Sequence, residues 1–406
     1  MIRCALLTNF RNDWAAALVL ACEGLEFVTL SPVVLGLDAA PNPFALREDD
    51  RADVILLTSY WLRWLERHHP ERVKHVMAVI ERSAVAVVGI DGMDFFALGF
   101  DPGSFDRVAS ILKFQGVFRD RELYNYDVGP WYPGANWSQP LHPKTRRYSA
   151  RELDKIRLSV PCLVMDLPAL LRSARRYESR GAQTLAREIS WAERAARNVG
   201  EEVLSRLIEI TPVGARPLDV HCFATLTHVQ RLETICRLEG LSGTRGIDRI
   251  PDNVAGVGEG PDAGLPTDAR RALVELAAPY MRSRLGRIAY LRDLCRHRIV
   301  VAPTGYGELG QRHAWALRTG GALVCQDLGH VETMFRFRDG ENVAFCRHDL
   351  ADLRRVVDRL LGDEGARERI ASEGRRSFKT WSAEWRVHLD AGITSHIRAA
   401  VALPAT

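Results

Sequence analysis

The fold is decided by the stretch "YGELGQRHAWALRTGGALV", residues 306–324. It follows an apolar strand that ends in "APTG", passes Gly305 and Gly307, and continues as a helix that a second glycine pair ends before another apolar strand. The first amides of a helix have no partners within the helix, and the macrodipole places partial positive charge there. With glycines that allow close backbone approach, this strand–turn–helix unit predicts a phosphate seat.

Polar side chains cluster at the start of this helix. Gln311 and Arg312 lie in its first turn and can donate hydrogen bonds to a bound anion. Glu308 repels a phosphate and is suited to accept hydrogen bonds from hydroxyls of a ribose or a sugar, although the dipole also favours acidic residues at an ordinary helix start. His313 has two interpretations: it contacts the sugar, or it caps and packs the helix.

Apolar runs and helical segments alternate outward from this unit. Continuous apolar runs at 2–9, 52–60 and 83–91 predict buried strands, and 107–120 predicts another. A second series begins with a strand at 216–226, followed by a weaker strand at 243–252 and the strand before 304. This alternation predicts two α/β halves with parallel sheets, which form a cleft at the carboxyl ends of their strands.

The composition excludes several classes of protein. The chain has 406 residues and a formal net charge of +4, with no long basic run, so nucleic acid is not expected as a partner. The eight cysteines form no CxxC pair, which indicates reduced thiols and no zinc site. No apolar run approaches the roughly 20 residues of a membrane span. We expect a cytoplasmic protein with at most peripheral contact at the inner face of a membrane.

Several motifs together resemble the GT-B glycosyltransferases of the "glycosyl transferases group 1" kind, in the CgeB-like branch. They are "AYLRDLCRHRIVVAPTGYGELGQRHAWALRTGGALV", then "GHVETMF", then "HDLADLRRVVDRLLGDEGARERIASEGRRSF". "LDVHCFATLTHVQRLETICRL" is similar to the first strand and helix of the same domain. "VVGIDGMDFF" and "SILKFQGVFRDREL" are similar to the acidic turn and the lysine-bearing strand of the N-terminal half.

The resemblance implies an α/β fold of GT-B type, with two Rossmann-like domains facing across a cleft, a helical insertion and a C-terminal helical tail. The N-terminal Rossmann-like domain would span 1–160 on the acceptor side, and 161–215 would form the helical insertion or linker. The nucleotide-sugar-binding domain would span 216–380. A C-terminal helix at 381–406 would pack back on the N-terminal domain.

The resemblance implies a bacterial protein of polysaccharide biosynthesis. Its activity would be the transfer of a sugar from a nucleotide-sugar donor to a hydroxyl of a glycan, lipid-linked or other cell-envelope acceptor. No cofactor or metal is implied. Several residues would bind the donor: glycines let the backbone approach the diphosphate, arginines bind its charge, and a glutamate contacts the ribose. The set is Gly305, Tyr306, Gly307, Gln311, Arg312, Arg231, His330 and Glu332. Glu308, His313 and Asp91 would be the catalytic group, with Asp91 as a general base.

Two features keep other interpretations open. The family carries a second glutamate where this chain has Trp315, so the ribose contact and a retaining or inverting outcome both stay open. Asp91 and Asp94 lie just past a predicted strand, beside Gly92. An aspartate that only stabilises a turn is the alternative to a general-base role. A sugar-nucleotide epimerase on the same fold and a non-catalytic GT-B-like binding or scaffold protein are therefore the alternative functions. A dehydrogenase is disfavoured because "TNFRNDW" lacks a glycine fingerprint.

Overall fold

The computed structural model describes residues 1–8, 18–19, 22–32, 52–68, 70, 73, 77, 85–92, 98–102, 108–114, 116–126, 143–160, 216–251, 267–304 and 309–402. The predicted helical insertion at 161–215 lies outside the described residues.

The N-terminal domain contains one six-stranded parallel sheet in the order β2-β1-β3-β4-β5-β7, with a short strand, β6, beside it. Its strands are β1 (Ile2–Thr8), β2 (Leu25–Pro32), β3 (Val54–Thr58), β4 (Ala86–Asp91), β5 (Val108–Lys113), β6 (Val117–Phe118) and β7 (Ile156–Leu158). The helices whose bounds lie within its described residues are α1 (Ser59–His68), a 3₁₀ turn at Arg121–Asn125, and α2 (Ala150–Leu153).

Alternate residues of each strand enter two separate cores, because successive side chains of a strand point to opposite faces. Cys4 and Leu6 of β1 pack into one core, and Ala5 and Leu7 pack into the other. A sheet covered on both faces needs apolar residues at every position, so such strands read as continuous apolar runs in the sequence.

Two features of this sheet differ from the sequence expectation. The segment 25–32, for which no strand is predicted, forms the edge strand β2 and pairs in parallel with β1. The single strand predicted at 107–120 is divided into β5 and β6. Gly116, with φ at +103°, turns the chain between them, a conformation that favours glycine.

The C-terminal domain contains a five-stranded parallel sheet in the order β13-β11-β10-β8-β9. Its strands are β8 (Leu218–Ala224), β9 (Gly243–Ile247), β10 (His297–Val301), β11 (Ala322–Gln326) and β13 (Ala344–Cys346), while β12 (Val331–Glu332) pairs elsewhere. Its helices are α3 (Val229–Arg237), α4 (Thr267–Ala277), a 3₁₀ turn at Ala278–Tyr280, α5 (Arg287–Leu294), α6 (Gln311–Thr319), α7 (Leu353–Gly362) and α8 (Glu364–Ala383).

The chain then returns to the first domain. A tail follows, made of α9 (Trp385–Leu389), a π-helical turn at Asp390–Thr394, and α10 (Ser395–Ala402). Ile393 and Ile397 of this tail are fully buried in the same core as Leu6 of β1 and Ile90 of β4. Two parallel α/β domains with a tail that packs on the first confirm the predicted GT-B type of fold.

Candidate functional site

A cleft of about 910 Å³ opens at the carboxyl edge of the C-terminal sheet. The ends of β8, β9 and β10, the segment before α5 and the start of α6 supply its walls. The described residues that line it are Phe223, Ala224, Thr225, Arg231, Asp248, Arg284, Leu285, Gly286, Tyr290, Pro303, Gly310, Gln311, Arg312, His313 and Trp315. Ligands of open α/β sheets bind at this edge.

The cleft is cationic. Among the described lining residues, the charged side chains are Arg231, Arg284 and Arg312 against one carboxylate, Asp248. The amino end of α6 also opens into the cleft and adds the partial positive charge of its unpaired amides. A site with this charge distribution is suited to an anionic ligand.

Arg231 is held at the base of the cleft by main-chain carbonyls. Its Nη1 donates to the Thr225 carbonyl at 2.7 Å, and its Nε donates to the Thr304 carbonyl at 3.1 Å. These two carbonyls follow β8 and β10, which are adjacent in the sheet. The guanidinium is therefore fixed in position across two strand ends, and neither contact neutralises its charge.

A buried amide network fixes the same strand ends. The Gln326 side chain accepts a hydrogen bond from Thr304 N at 2.9 Å and donates to the Gln230 side chain at 3.0 Å. The Thr304 hydroxyl donates to the same Gln230 oxygen at 2.9 Å. Buried and fully bonded networks are rigid, so α3 and the ends of β10 and β11 form one preorganised unit.

Arg312 enters the cleft from the first turn of α6 and lies against Tyr290 of α5. Burial raises the pKa of the Tyr290 hydroxyl, and its hydrogen bond with Arg312 opposes that shift. The Tyr290 ring also lies 5.2 Å from the Trp315 ring. The cleft thus has an aromatic wall beside its arginines.

His313 caps the helix from within. Its Nδ1 accepts a hydrogen bond from Gly310 N at 3.2 Å, and its side chain is 3% exposed. This contact occupies the position that Glu or Gln takes in a capping box. Of the two interpretations of His313 in the sequence, the capping contact is the one the structure contains, although the residue also lines the cleft.

Below the cleft, buried histidines are kept neutral. Burial, and then the charge of Arg231, lowers the pKa of His228 to about 3. Burial, and then His297, lowers the pKa of His221 far below its ordinary value. The Nε2 of His297 accepts a hydrogen bond from Thr244 N at 2.9 Å, so its proton lies on Nδ1, which bonds to the Asp293 carbonyl. Among the described lining residues, the cationic side chains are therefore arginines.

Asp91, the predicted general base, is not among the described residues that line this cleft. Its carboxylate is fully buried, lies 3.3 Å from Lys113 Nζ, and accepts hydrogen bonds from Ser59 Oγ at 3.1 Å and Gly99 N at 3.1 Å. A general base needs hydrogen-bond reach to the substrate. The base role of Asp91 therefore stays a prediction, beside the alternative of a structural aspartate at a turn.

His330 and Glu332 are not among the described residues that line the cleft. Glu332 belongs to β12, which pairs antiparallel with β6 of the N-terminal domain, and its Oε2 lies 3.0 Å from Arg121 Nη2. The His330 carbonyl accepts from Arg119 N at 3.0 Å, and its ring lies 4.7 Å from the His348 ring. The structure does not bring these two predicted donor contacts together with Arg231 and Arg312.

The remaining predicted residues divide in two. Gln311 lines the cleft with Arg231 and Arg312. Gly305, Tyr306, Gly307 and Glu308 lie outside the described residues, as does Asp94.

Among the described lining residues that the sequence reasoning did not propose as site residues are Asp248, Arg284 and Tyr290. Asp248 lies within the weak strand predicted at 243–252, and only the observed end of β9 at Ile247 places it directly after a strand. The other two lie before and within α5, where no strand end marks them.

Within the described part of the chain, no helix combines the length and apolar composition needed to cross a bilayer.

No protein-family model and no curated protein matches the chain. Among solved structures it is similar to the HepE protein of Anabaena in complex with UDP-glucose, at 10% identity and a TM-score of 0.48, covering 99% of this chain and 100% of that one. It is also similar to the β-glucosyltransferase of phage T4, at 9% identity and a TM-score of 0.43, covering 99% and 100%. A trehalose 6-phosphate synthase of Burkholderia multivorans gives 13% identity and a TM-score of 0.42, covering 86% and 71%. At these identities and scores, no inference about activity follows from the similarity.

Proposed function

We propose that this protein is a glycosyltransferase that moves a sugar from a nucleotide-sugar donor to a hydroxyl of an acceptor. The observation that carries the proposal is the cleft in which Arg231, Arg312 and the amino end of α6 converge. The resemblance of the segment around 285–380 to GT-B enzymes, noted from the sequence, supports the same assignment.

The chemistry follows from the charges. Breaking the bond between sugar and diphosphate develops negative charge on the leaving diphosphate. Two guanidinium groups and the free amides of a helix start stabilise that charge without reorganisation, because the protein already holds them in place. This arrangement supplies the positive charge without a bound metal, so we propose metal-independent transfer.

The acceptor side is assigned more coarsely. We propose a glycan, lipid-linked or other cell-envelope acceptor that enters from the N-terminal domain, with Glu308 accepting hydrogen bonds from sugar hydroxyls.

The test is isothermal titration of the full chain with UDP, GDP, dTDP, CMP and ADP. We expect one nucleotide to bind more tightly than the others, and Arg312→Gln to weaken it about tenfold or more. Hydrogen bonds to charged groups contribute about 1.5–3 kcal/mol, and about 1.4 kcal/mol corresponds to a factor of ten.

Arg318→Gln is the matched control, because Arg318 lies in the last turn of the same helix, away from the cleft. Arg231→Gln is expected to weaken nucleotide binding as well. Comparing its thermal unfolding temperature with that of the wild type shows whether the substitution also disturbs the strand ends that Arg231 contacts. If no nucleotide binds at millimolar concentration, or if Arg312→Gln and Arg318→Gln behave alike, the proposal is wrong. If a nucleotide binds but no sugar is transferred from the corresponding donor, the protein is a binding protein.

A further inference from the structure

Asp248 is the one acidic side chain among the described residues that line the cleft. A carboxylate beside a seat for an anion repels that anion, and the repulsion grows as water is excluded. Its presence is unfavourable for binding phosphate alone. A ligand that also carries hydrogen-bond donors would compensate for the repulsion.

The carboxylate is anchored by one oxygen. Oδ1 accepts a hydrogen bond from the Thr225 hydroxyl at 2.7 Å, and the side chain is 12% exposed. Oδ2 lies 3.9 Å from Arg284 Nε, which is beyond hydrogen-bond distance, and the Arg284 side chain is 81% exposed. No donor of the described chain bonds to Oδ2. The anchored carboxylate therefore presents one acceptor oxygen to a ligand in the cleft.

The position of Asp248 in the sheet indicates which part of a ligand it meets. Asp248 directly follows β9, β9 pairs with β8, and β8 pairs with β10, which leads toward α6. Neighbouring strands are about 4.8 Å apart, so the end of β9 lies about 10 Å from the end of β10. A diphosphate at the start of α6 would place the attached nucleoside over the ends of β8 and β9.

Ribose hydroxyls are donors that suit this oxygen. In dinucleotide-binding folds, an acidic residue that follows the second strand accepts a hydrogen bond from a ribose hydroxyl. Asp248 follows the second strand of its domain. Glu332, the residue predicted from the sequence for this contact, is instead engaged by Arg121 in the pairing of β6 with β12.

We propose that Asp248 accepts a hydrogen bond from a ribose hydroxyl of the bound nucleotide and so selects ribonucleotide donors. This inference rests on the proposed function, because it requires a nucleotide in the cleft. Thr225 is the positioning residue that orients the carboxylate.

The experiment measures binding by the full chain of the preferred nucleoside diphosphate, its 2′-deoxy and 3′-deoxy forms, and inorganic pyrophosphate. We expect the wild type to bind the ribo form at least about tenfold more tightly than one of the two deoxy forms. Asp248→Asn and Asp248→Ala should reduce that preference to about twofold or less. Neither variant should weaken pyrophosphate binding, because removing a negative charge from the cleft does not lower its affinity for an anion.

Asp219→Asn is the control. Asp219 is a carboxylate of the same sheet, at the start of β8, on the edge opposite the cleft, where Ser242 and Arg298 contact it. The Asp219→Asn variant should bind the nucleoside diphosphate, its two deoxy forms and pyrophosphate with the same affinities as the wild type.

The outcomes separate the two proposals. If neither nucleotides nor pyrophosphate bind the wild type, the proposed function fails and this inference fails with it. If nucleotides bind through Arg312 but the preference for ribose is absent, or persists in Asp248→Ala, the inference is overturned and the function stands. If both Asp248 variants bind every probe more tightly by the same factor, the carboxylate acts by repulsion alone, which also overturns it.

Discussion

At the scale of single residues, the charged side chains among the described residues that line the cleft are three arginines and one aspartate. Arg231 is bound by carbonyl oxygens, which orient a guanidinium and leave its charge intact. Burial keeps the adjacent His228 neutral, because a second cation beside Arg231 would be strongly unfavourable. Asp91 shows the opposite arrangement: Lys113 lies 3.3 Å from it inside the N-terminal core.

His228 makes stability depend on pH. An unfolded histidine has a pKa of about 6.5, whereas burial and Arg231 lower the pKa of folded His228 to about 3. Between these values the unfolded state binds one more proton than the folded state. The contribution of neutral His228 to the free energy of unfolding is therefore fully present above about pH 6.5 and is lost as the pH falls toward 3. We expect His228→Asn, which keeps an acceptor for the cap of α3, to reduce the slope of stability against pH by up to about 1.4 kcal/mol per pH unit.

The measurement is the free energy of unfolding in urea, for the wild type and the variant, between pH 6.5 and 4.5. The variant's curve should be flatter, whatever its stability at pH 7. Parallel curves for the two proteins would contradict the assignment of a neutral His228.

At the scale of elements, the cleft depends on how the strands of the C-terminal sheet end and how its helices begin. α6 begins at Gly310 with His313 as its internal cap and ends at Gly320, whose φ of +72° is the left-handed conformation that stops helices. The first residue of β9 must also be a glycine. Gly243, with φ at +132°, pairs with Val220 of β8 at a distance that leaves no room for a side chain.

We expect Gly243→Ala to lower the free energy of unfolding by about 3 kcal/mol or more, because a Cβ there would lie 2.1 Å from the Val220 carbonyl oxygen and the backbone would be strained. Urea unfolding at neutral pH measures this change. Gly240→Ala is the control: φ there is +84° and nothing lies within 4 Å of a Cβ, so only the conformational cost of about 1 kcal/mol applies. Equal losses for the two variants would show that β9 can shift away from Val220.

At the scale of the whole molecule, the described residues include two connections between the domains. The first is the pairing of β6 with β12, in which Val331 opposite Phe118 is 2% exposed and belongs to an N-terminal core. The second is the tail, whose apolar residues complete the other N-terminal core after the C-terminal domain has been built. Folding of the first domain therefore depends on the last residues of the described chain.

We expect Ile397→Ala to destabilise the N-terminal domain by about 3 kcal/mol, because it leaves a cavity between α10 and the first sheet. Hydrogen exchange of the full chain should show faster exchange in β1 and β4 than in the wild type, with β10 little changed. Val387→Ala is the control, because Val387 lies in the same tail and is 63% exposed, so its cost should be within about 0.5 kcal/mol. If exchange accelerates only within the tail, the tail is not part of that core.

Much of the architecture was determined by the sequence alone. Continuous apolar runs predict β1, β3 and β4, because a strand buried on both faces must be apolar throughout. The same rule predicts β8 and β10, and the glycines around 305–310 predict the start of α6. Gln311 and Arg312 were found because both lie in the first turn of a helix that follows one of these strands, whereas Arg231 came from the resemblance to GT-B glycosyltransferases.

Only the tertiary structure decided which side chains share the cleft. Arg121 engages Glu332 from 211 positions away, and Lys113 lies 3.3 Å from Asp91, contacts that the local sequence around either acid does not indicate. Asp248 lines the cleft because β9 lies beside β8 at the edge where the strands end. Local sequence carries hydrophobic periodicity and turn chemistry, whereas the partner of a charged side chain is set by packing between distant segments.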